Sequence, residues 1–206
     1  MRPLLKPFYI LAALLVMAFP AFATEAAIGE AAPNFTLADT QGIVHALSDY
    51  KGKIVVLEWT NHECPFVRKH YDSGNMQKLQ EQATADGVIW LSIVSSAPGK
   101  QGYTTPEEAA MLIEKEGAKA TARLSDPDGK VGTAYGARTT PHMYVINAEG
   151  TLAYMGAIDD NPSPRVDTVE TAHNYVLAAL EAVKKGEMPK TVQTNPYGCA
   201  VKYESM

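Results

Sequence analysis

Apolar residues in this chain are concentrated in short continuous runs that are separated by longer amphipathic stretches. The runs KIVVLEW and VIWLSIVSS, residues 53–59 and 88–96, are typical of strands buried on both faces of a sheet. Residues 32–53 instead alternate apolar and polar positions around the turn sequence Asp39-Thr40-Gln41-Gly42. This alternation predicts an N-terminal β-hairpin, and HMYVINAEGTLAYMG, residues 142–156, predicts a second hairpin.

The stretches between the apolar runs carry helix signals. Pro65 opens an amphipathic stretch with a break near residues 73–74, because proline is tolerated in the first turn of a helix. Thr105, followed by a proline and two glutamates, predicts a helix that ends near Gly117, and residues 166–185 predict a long C-terminal helix. Strands that alternate with helices predict an α/β fold with a central mixed β-sheet flanked by helices.

The first residues have the features of a secretory signal peptide. Arg2 and Lys6 form a basic region, an apolar stretch follows at residues 8–19, and Ala21-Phe22-Ala23 is a typical cleavage sequence. A retained membrane anchor is the alternative, but this apolar stretch is shorter than the roughly 20 residues that span a bilayer. We therefore predict a signal peptide at residues 1–23 and an exported, periplasmic protein.

The rest of the chain has the length and composition of one globular domain. Residues 24–188 are predicted to form that domain, and residues 189–206, which include Pro189, Pro196 and Gly198, a largely irregular tail. Hydrophobic residues make up 46% of the chain and charged residues 20%, which is ordinary for a globular protein. A net charge of −5 argues against nucleic acid as a partner.

The chain contains two cysteines, Cys64 and Cys199. Disulfides persist in exported proteins, so a structural bridge between the two is one interpretation, and it would stabilise the fold by about 4 to 5 kcal/mol on the chain-entropy model. Cys64, however, lies where a buried strand meets a helix, and the N-terminus of a helix favours a thiolate. Arg68, His62 and His70 are close in sequence and would add positive charge. A nucleophilic thiol is the other interpretation.

Two segments resemble the thioredoxin-fold redoxins, the group that includes the alkyl hydroperoxide reductase/thiol-specific antioxidant proteins. They are APNFTLADTQGIVHALSDYKGKIVVLEWTNHECP, residues 32–65, and LSDPDGKVGTAYGARTTPHMYVINAEG, residues 124–150. The resemblance implies a thioredoxin-like fold in which Pro141 is a cis-proline that faces the active cysteine. It also implies that Thr140, Pro141 and His62 position the substrate.

The resemblance is more specific about the cysteine itself. Cys64 takes the first position of a thioredoxin Cys-x-x-Cys motif, but Val67 takes the second, which excludes dithiol exchange within the motif. A single cysteine there resembles the peroxidatic cysteine of peroxiredoxins, which forms a sulfenic acid when it attacks a hydroperoxide. Peroxiredoxins typically have Pro-x-x-x-Thr-x-x-Cys, and this chain has Leu57 and Asn61 at those positions. Thr60 and Asn61 are the candidates for the hydrogen bonds that orient the peroxide.

The tail carries a further likeness. NPYGCAVKY, residues 195–203, resembles the C-terminus of a peroxiredoxin-like subfamily with an Asn-His-x-Cys-Pro active loop. That resemblance implies that Cys199 is the resolving cysteine, which condenses with the sulfenic acid to form a disulfide. Arg138 lies near the place where peroxiredoxins have an arginine that stabilises the thiolate and polarises the peroxide. His142, directly after the proline, is a further residue that could face the thiol.

These features predict an exported thiol-dependent peroxidase that reduces hydroperoxides through Cys64 and is itself reduced by a thioredoxin-like protein. One alternative is a thiol–disulfide oxidoreductase that acts on protein disulfides with the same two cysteines. Another is a copper-binding thioredoxin-fold chaperone that uses His62, Cys64 and His142. The leading prediction requires no cofactor and no metal. An oligomer stays open, since Cys199 could reach Cys64 of its own chain or of a neighbour.

Overall fold

A strand that is buried along its whole length, β3 (Val55–Trp59), lies near the centre of the sheet. The computed structural model describes residues 25–204, so the predicted signal peptide lies outside the described residues. Within that range, the nine strands are β1 (Thr36–Asp39), β2 (Val44–Ala46), β3, β4 (Ile89–Val94), β5 (Ala122–Ser125), β6 (Thr139–Thr140), β7 (His142–Ile146), β8 (Leu152–Gly156) and β9 (Cys199–Ala200).

Seven of these strands form one mixed sheet with the order β2-β1-β5-β4-β3-β7-β8. β3 pairs in parallel with β4 and antiparallel with β7, and β4 pairs in parallel with β5. Parallel neighbours require crossover connections, which the intervening helices supply. β1 and β2 form the expected N-terminal hairpin, and β7 and β8 form the second one. The prediction of a central mixed sheet is therefore confirmed.

Five α-helices of the described chain surround the sheet: α1 (Pro65–Asp72), α2 (Asn75–Ala85), α3 (Pro106–Glu116), α4 (Lys130–Ala134) and α5 (Tyr175–Val183). The predicted break after α1 is present at Gly74, which adopts φ +75°. α3 begins with the predicted cap, since the Thr105 hydroxyl accepts from the backbone N–H of Glu108. No helix among residues 25–204 is both long and apolar enough to cross a membrane.

The core has two parts, one on each face of the sheet. α1, α2 and α5 pack on one face, against side chains such as Val56, Trp90 and Met143. The other face is covered by α4, by a 3-10 turn at Leu47–Tyr50 and by the N-terminal segment. Each face therefore buries a separate apolar layer, as expected for strands with two buried faces.

The prediction of a helix over residues 166–185 was wrong in its first half. Residues Val166–Thr168 form a short 3-10 turn, and α5 begins only at Tyr175. Asn174 ends the irregular segment, because its side chain accepts from the backbone N–H of Leu177 and so caps the helix. The backbone N–H of Tyr175 donates to the carbonyl oxygen of Ile158, a contact with the region after β8 that no local sequence signal reveals.

The C-terminal tail has little regular structure, as predicted, but it is docked along the domain. Its first part follows β8, where the hydroxyl of Thr194 accepts from the backbone N–H of Ala157. Its last part forms β9 and pairs antiparallel with β6. Val201 is then buried in the core layer that contains α4, and the hydroxyl of Tyr203 donates to the carbonyl oxygen of Ala137. The tail therefore passes from one face of the sheet to the other.

Candidate active site at the strand–helix junction

Cys64 lies at the junction between β3 and α1, as the sequence predicted. It is the N-cap residue of α1, with Pro65 at the first helical position. Its backbone carbonyl oxygen accepts from the N–H groups of Val67 and Arg68 at 3.0 and 2.9 Å, and its own N–H donates to Asn61. These bonds fix the backbone of Cys64 at the positive end of the helix. The side chain is 0% exposed.

The loop that contains Pro141 faces this cysteine. The Thr140–Pro141 peptide bond is cis, as predicted from the resemblance. Trp59 at the end of β3 pairs with His142 at the start of β7, so the residues before His142 lie beside the residues after Trp59. The thiol of Cys64 accordingly donates to the carbonyl oxygen of Thr140 at 3.1 Å.

Cys199 lies at the same carbonyl group. In the pairing of β6 with β9, Cys199 is directly opposite Thr140, whose hydroxyl donates to the carbonyl oxygen of Cys199 at 3.5 Å. Both cysteines are free thiols. Burial, and then hydrogen bonding to the thiol of Cys64, raise the pKa of Cys199 to about 12. The structure therefore brings together two cysteines that are far apart in the sequence. The raised pKa keeps the thiol of Cys199 protonated at neutral pH.

Thr60 and Asn61 lie in the loop that leads to Cys64, and both are buried. Oδ1 of Asn61 accepts from the backbone N–H of Glu63 at 2.9 Å, and Nδ2 of Asn61 donates to the carbonyl oxygen of Gln101 at 3.4 Å. A Cβ atom added at Gly102 would overlap the side chain of Asn61. In this structure the amide of Asn61 therefore attaches the active loop to residues 101–102. The backbone N–H of Gly102 also donates to the carboxylate of Glu63 at 2.7 Å.

His62 and Arg68 lie on the outer side of the junction. Both line a cavity of about 750 Å³ that lies between the active loop, α1 and α3. The side chain of Arg68 is 63% exposed and forms an i,i+4 ion pair with Asp72 at 3.4 Å. Surface ion pairs of this kind contribute little to stability. The positive charge expected from Arg68 is thus directed to solvent.

Arg138 and His142 lie behind the proline loop. Arg138 is exposed, and its backbone N–H donates to Nδ1 of His142 at 3.4 Å. The hydroxyl of Tyr144 donates to the carbonyl oxygen of Tyr135 and lies 3.0 Å from this nitrogen. Burial, with a smaller contribution from the charge of Arg138, lowers the pKa of His142 to about 3, so the ring is neutral. His142 thus packs with Tyr144, and residues 25–204 contain no group of three side chains that could bind a metal ion.

Glu58 is a functional candidate that the sequence reasoning missed. It lies in β3, is 0% exposed, and accepts hydrogen bonds from four donors. The donors are the hydroxyl of Tyr71, Nε2 of Gln80, Nε1 of Trp90 and the hydroxyl of Ser92, at 2.8 to 3.0 Å. Burial raises the pKa of Glu58 although these donors oppose the shift. An acidic residue within the otherwise apolar run KIVVLEW was the available signal.

A second group lies between α1 and the tail, and the sequence analysis named only His70 from it; the expectation of a positive charge at His70 was wrong, because burial lowers its pKa to about 4. Lys69 and His70 of α1 are both buried, and both approach the hydroxyl of Tyr197, which is two residues before Cys199. Asp159, from the loop after β8, lies 3.3 Å from Nζ of Lys69. Helical sequence spacing does not identify a buried lysine when its partner is distant in the chain, so only the structure reveals this group.

Comparison with known proteins gives a consistent result. The family model described as "AhpC/TSA family" matches residues 28–155, a region that includes Cys64 but not Cys199. The thiol–disulfide oxidoreductase ResA of Geobacillus kaustophilus is 30% identical over 120 residues, which cover 52% of this chain and 68% of ResA. A thiol peroxidase of Listeria innocua is 26% identical over 170 residues, which cover 79% of this chain and 90% of the relative.

Solved structures show the same fold. A hypothetical protein from Sinorhizobium meliloti superimposes with a TM-score of 0.76 at 24% sequence identity, covering 89% of this chain and 98% of that protein. Together with thioredoxin-like neighbours of known structure, this similarity confirms the predicted thioredoxin-like fold. The names of the relatives support a thiol-based redox function.

Proposed function

This chain belongs to the AhpC/TSA family, and on that premise we propose that it is an exported thiol-dependent peroxidase with Cys64 as the peroxidatic and Cys199 as the resolving cysteine. One observation carries the proposal. The carbonyl oxygen of Thr140 accepts the thiol proton of Cys64, and the residue paired opposite Thr140 is Cys199. A second thiol is thereby held beside the first by the backbone of the same chain.

In the first step the Cys64 thiolate attacks one oxygen of a hydroperoxide. A sulfur–oxygen bond forms and the oxygen–oxygen bond breaks, so the sulfur is oxidised by two electrons to a sulfenic acid. The other oxygen leaves as an alcohol or as water after it takes up a proton. Cys64 caps the N-terminus of α1, so the attacking sulfur lies at the end of the helix that carries partial positive charge.

In the second step the Cys199 thiol attacks the sulfenic sulfur of Cys64. The sulfur–sulfur bond forms, the sulfur–oxygen bond breaks, and water leaves with the thiol proton. In the reduced protein the interaction with Cys64 is one of the causes that raise the pKa of Cys199. A thioredoxin-like dithiol then reduces the disulfide by exchange and returns both thiols.

Access to Cys64 favours a small substrate. Cys64 is 0% exposed while β9 is paired with β6, so a substrate reaches it only when the tail or the active loop moves. An extended polypeptide would need the strand edge that β9 occupies, because peptides commonly bind by adding a strand to a free edge. A hydroperoxide needs a much smaller opening.

A thiol–disulfide oxidoreductase is the second candidate function. The specific observation in its favour is that two free thiols lie on either side of Thr140, where a dithiol pair could exchange with a substrate disulfide. The similarity to ResA points in the same direction. In this reading Cys64 would attack the substrate disulfide and Cys199 would release the mixed disulfide.

The products formed by hydrogen peroxide separate the two functions. We expect the reduced protein to convert to a Cys64–Cys199 disulfide on addition of equimolar peroxide, and Cys199→Ser to gain one oxygen at Cys64. Cys64→Ser is the control and should stay unmodified. Intact mass and peptide mapping read the products. Rapid exchange with a protein disulfide, combined with no peroxide product in any of the three proteins, would instead establish the oxidoreductase.

Export is part of the same proposal and rests on the sequence of residues 1–23. We expect the full-length chain, expressed in a bacterium with an outer membrane, to be recovered from the periplasm with Thr24 as its first residue. N-terminal sequencing of the periplasmic and membrane fractions checks this. An uncleaved protein in the membrane fraction would support the anchor instead.

A further inference from the structure

An ion pair is buried between α1 and the loop after β8. The side chains of Lys69 and Asp159 are 0% and 3% exposed, and Nζ of Lys69 lies 3.3 Å from Oδ2 of Asp159. The ammonium group also donates to the carbonyl oxygen of Asn161 at 2.8 Å. A buried charge loses its hydration, so it is stable only when its donors are paired in this way. The pairing therefore fixes the position of the Lys69 ammonium group.

The hydroxyl of Tyr197 completes this group. It donates to Oδ1 of Asp159 and accepts from Nζ of Lys69 at 3.3 Å. Burial lowers the pKa of His70 to about 4, so the ring is neutral. Its Nδ1 accepts from the amide of Asn75 at 2.9 Å, which leaves the ring proton on Nε2, 3.2 Å from the Tyr197 hydroxyl. The hydroxyl thus makes three hydrogen bonds, all to the domain.

Tyr197 is joined to Cys199 by a single residue, Gly198. Gly198 adopts φ +133°, and a Cβ atom there would overlap the carbonyl oxygen of Thr140. The same oxygen accepts from the thiol of Cys64. The short segment between the buried phenol and the second thiol therefore runs directly over the hydrogen-bond acceptor of the first thiol, so the placement of Tyr197 constrains the placement of Cys199.

We propose that Lys69, Asp159 and Tyr197, the tail clamp, position Cys199 for reaction with Cys64. The inference rests on the proposed function and deepens it, since the clamp acts on the step in which the sulfur–sulfur bond forms and water leaves. None of the three side chains touches a reacting sulfur atom among the described contacts, so they are positioning residues. The clamp raises the effective concentration of the Cys199 thiol at Cys64.

Two tyrosine variants of the full-length protein test the clamp. Tyr197→Phe removes the hydroxyl but keeps the ring, which packs edge-on against Phe66 at 5.8 Å. Tyr203→Phe is the matched control, because its hydroxyl lies in the same tail and donates one bond to Ala137, outside the clamp. Each protein is equilibrated with dithiothreitol at a series of thiol-to-disulfide ratios, and the fraction of Cys64–Cys199 disulfide gives the effective concentration.

We expect the effective concentration to fall about tenfold or more in Tyr197→Phe and to stay within about twofold in Tyr203→Phe. Urea unfolding of the reduced proteins shows whether either variant simply loses its fold. Equal effective concentrations in Tyr197→Phe and the unmodified protein would overturn the proposal. An equal fall in both variants would also overturn it, since the loss would then reflect general weakening of the tail.

The equilibrium readout needs no peroxide, so failure of the clamp and failure of the proposed function are distinguishable. If Cys64 does not react with peroxide, the peroxidase proposal fails while the dithiothreitol result still decides the clamp. If Cys64 does react, the clamp predicts a kinetic split in Tyr197→Phe. Disulfide formation should slow about tenfold, whereas loss of the Cys64 thiol should be as fast as in Tyr203→Phe or faster, because a looser tail exposes Cys64.

Discussion

The strand–helix junction and the C-terminal tail each hold one of the two thiols, and they do so by different means. The junction fixes Cys64 through backbone hydrogen bonds of the active loop and the first turn of α1, and the neighbouring strand β3 carries the hydrogen-bonded carboxylate of Glu58. The tail fixes Cys199 through a strand of two residues, through scattered backbone bonds such as that from the N–H of Val201 to Arg138, and through side-chain anchors such as Tyr197. A backbone framework resists local opening more than isolated anchors do.

This difference assigns the two regions different parts in a catalytic cycle. A thiol that must attack in a defined geometry benefits from a rigid position at a helix N-terminus. A thiol that must approach, form a disulfide and separate again benefits from a segment that can detach. Because Cys64 is 0% exposed, one of the regions has to move for any substrate to enter, and next to Cys64 the tail is held by a strand of only two residues.

The largest expected effect comes from removing the carboxylate of Glu58 from its buried hydrogen-bond network. Glu58→Leu leaves the donors of Tyr71, Gln80, Trp90 and Ser92 without their acceptor, and loss of one partner in a buried charged network costs about 3 to 5 kcal/mol. Glu58→Gln keeps an acceptor oxygen and should lose less. Urea unfolding at neutral pH measures both, and equal stability of the two variants would contradict the role given to the carboxylate.

The next effect comes from breaking the tail. Gly198 has φ +133°. In Gly198→Ala the added Cβ atom would overlap the carbonyl oxygen of Thr140, so β9 must leave β6. Strain of this kind costs about 1 to 3 kcal/mol, and we expect the Cys64–Cys199 disulfide to form at least about tenfold more slowly.

Gly186→Ala is the control for the tail. Gly186 also has a positive φ, of +75°, but a Cβ atom there would meet nothing within 4 Å. The substitution therefore strains the backbone after α5 without contacting Thr140 or either cysteine. Disulfide formation after peroxide, followed by quenching and mass analysis, should separate the two variants, and equal rates would show that contact with Thr140 does not matter.

The smallest effect is a dependence of stability on pH. The pKa values of His70 and His142 are lowered to about 4 and about 3, one beside the tail and one behind the proline loop. Between pH 6.5 and these values the unfolded chain binds more protons, so stability falls as pH falls below 6.5. Each histidine contributes a slope of about 1.4 kcal/mol per pH unit.

Replacing His70 separates the contribution of the region beside the tail from that of the region behind the proline loop. His70→Gln should reduce the loss of stability between pH 6.5 and pH 5 by about half, whereas His173→Gln, at an exposed position, should leave it unchanged. Urea unfolding at several pH values provides the measurement. An unchanged slope in His70→Gln would mean that His70 is not buried as a neutral ring.

The sequence predicted the junction better than the tail, and the reason is physical. The run before Cys64 has a pattern typical of a doubly buried strand, and Pro65 and Thr105 mark helix starts by local chemistry. The cis bond before Pro141 followed from the family resemblance. The start of α5 and the docking of the tail depend on partners far away in the chain, such as Ile158 for Tyr175.

Burial of charge was the least predictable property. Arg68, which the sequence suggested as a cation near the thiol, is exposed, whereas its neighbour Lys69 is buried and paired with Asp159. In the sequence both residues look like ordinary exposed helix residues. Which of the two is buried depends on Asp159, a carboxylate from the loop after β8. A sequence pattern predicts that such a lysine is exposed to solvent, because lysines are rarely buried without an acidic partner.

The most direct test of the account is the rate at which the reduced Cys199→Ser protein loses its Cys64 thiol to hydrogen peroxide, compared with free cysteine under the same conditions. The account predicts loss orders of magnitude faster than for free cysteine, with one added oxygen at Cys64 in the intact mass. A rate equal to that of free cysteine would contradict the assignment of Cys64 as a peroxidatic residue and would favour disulfide exchange.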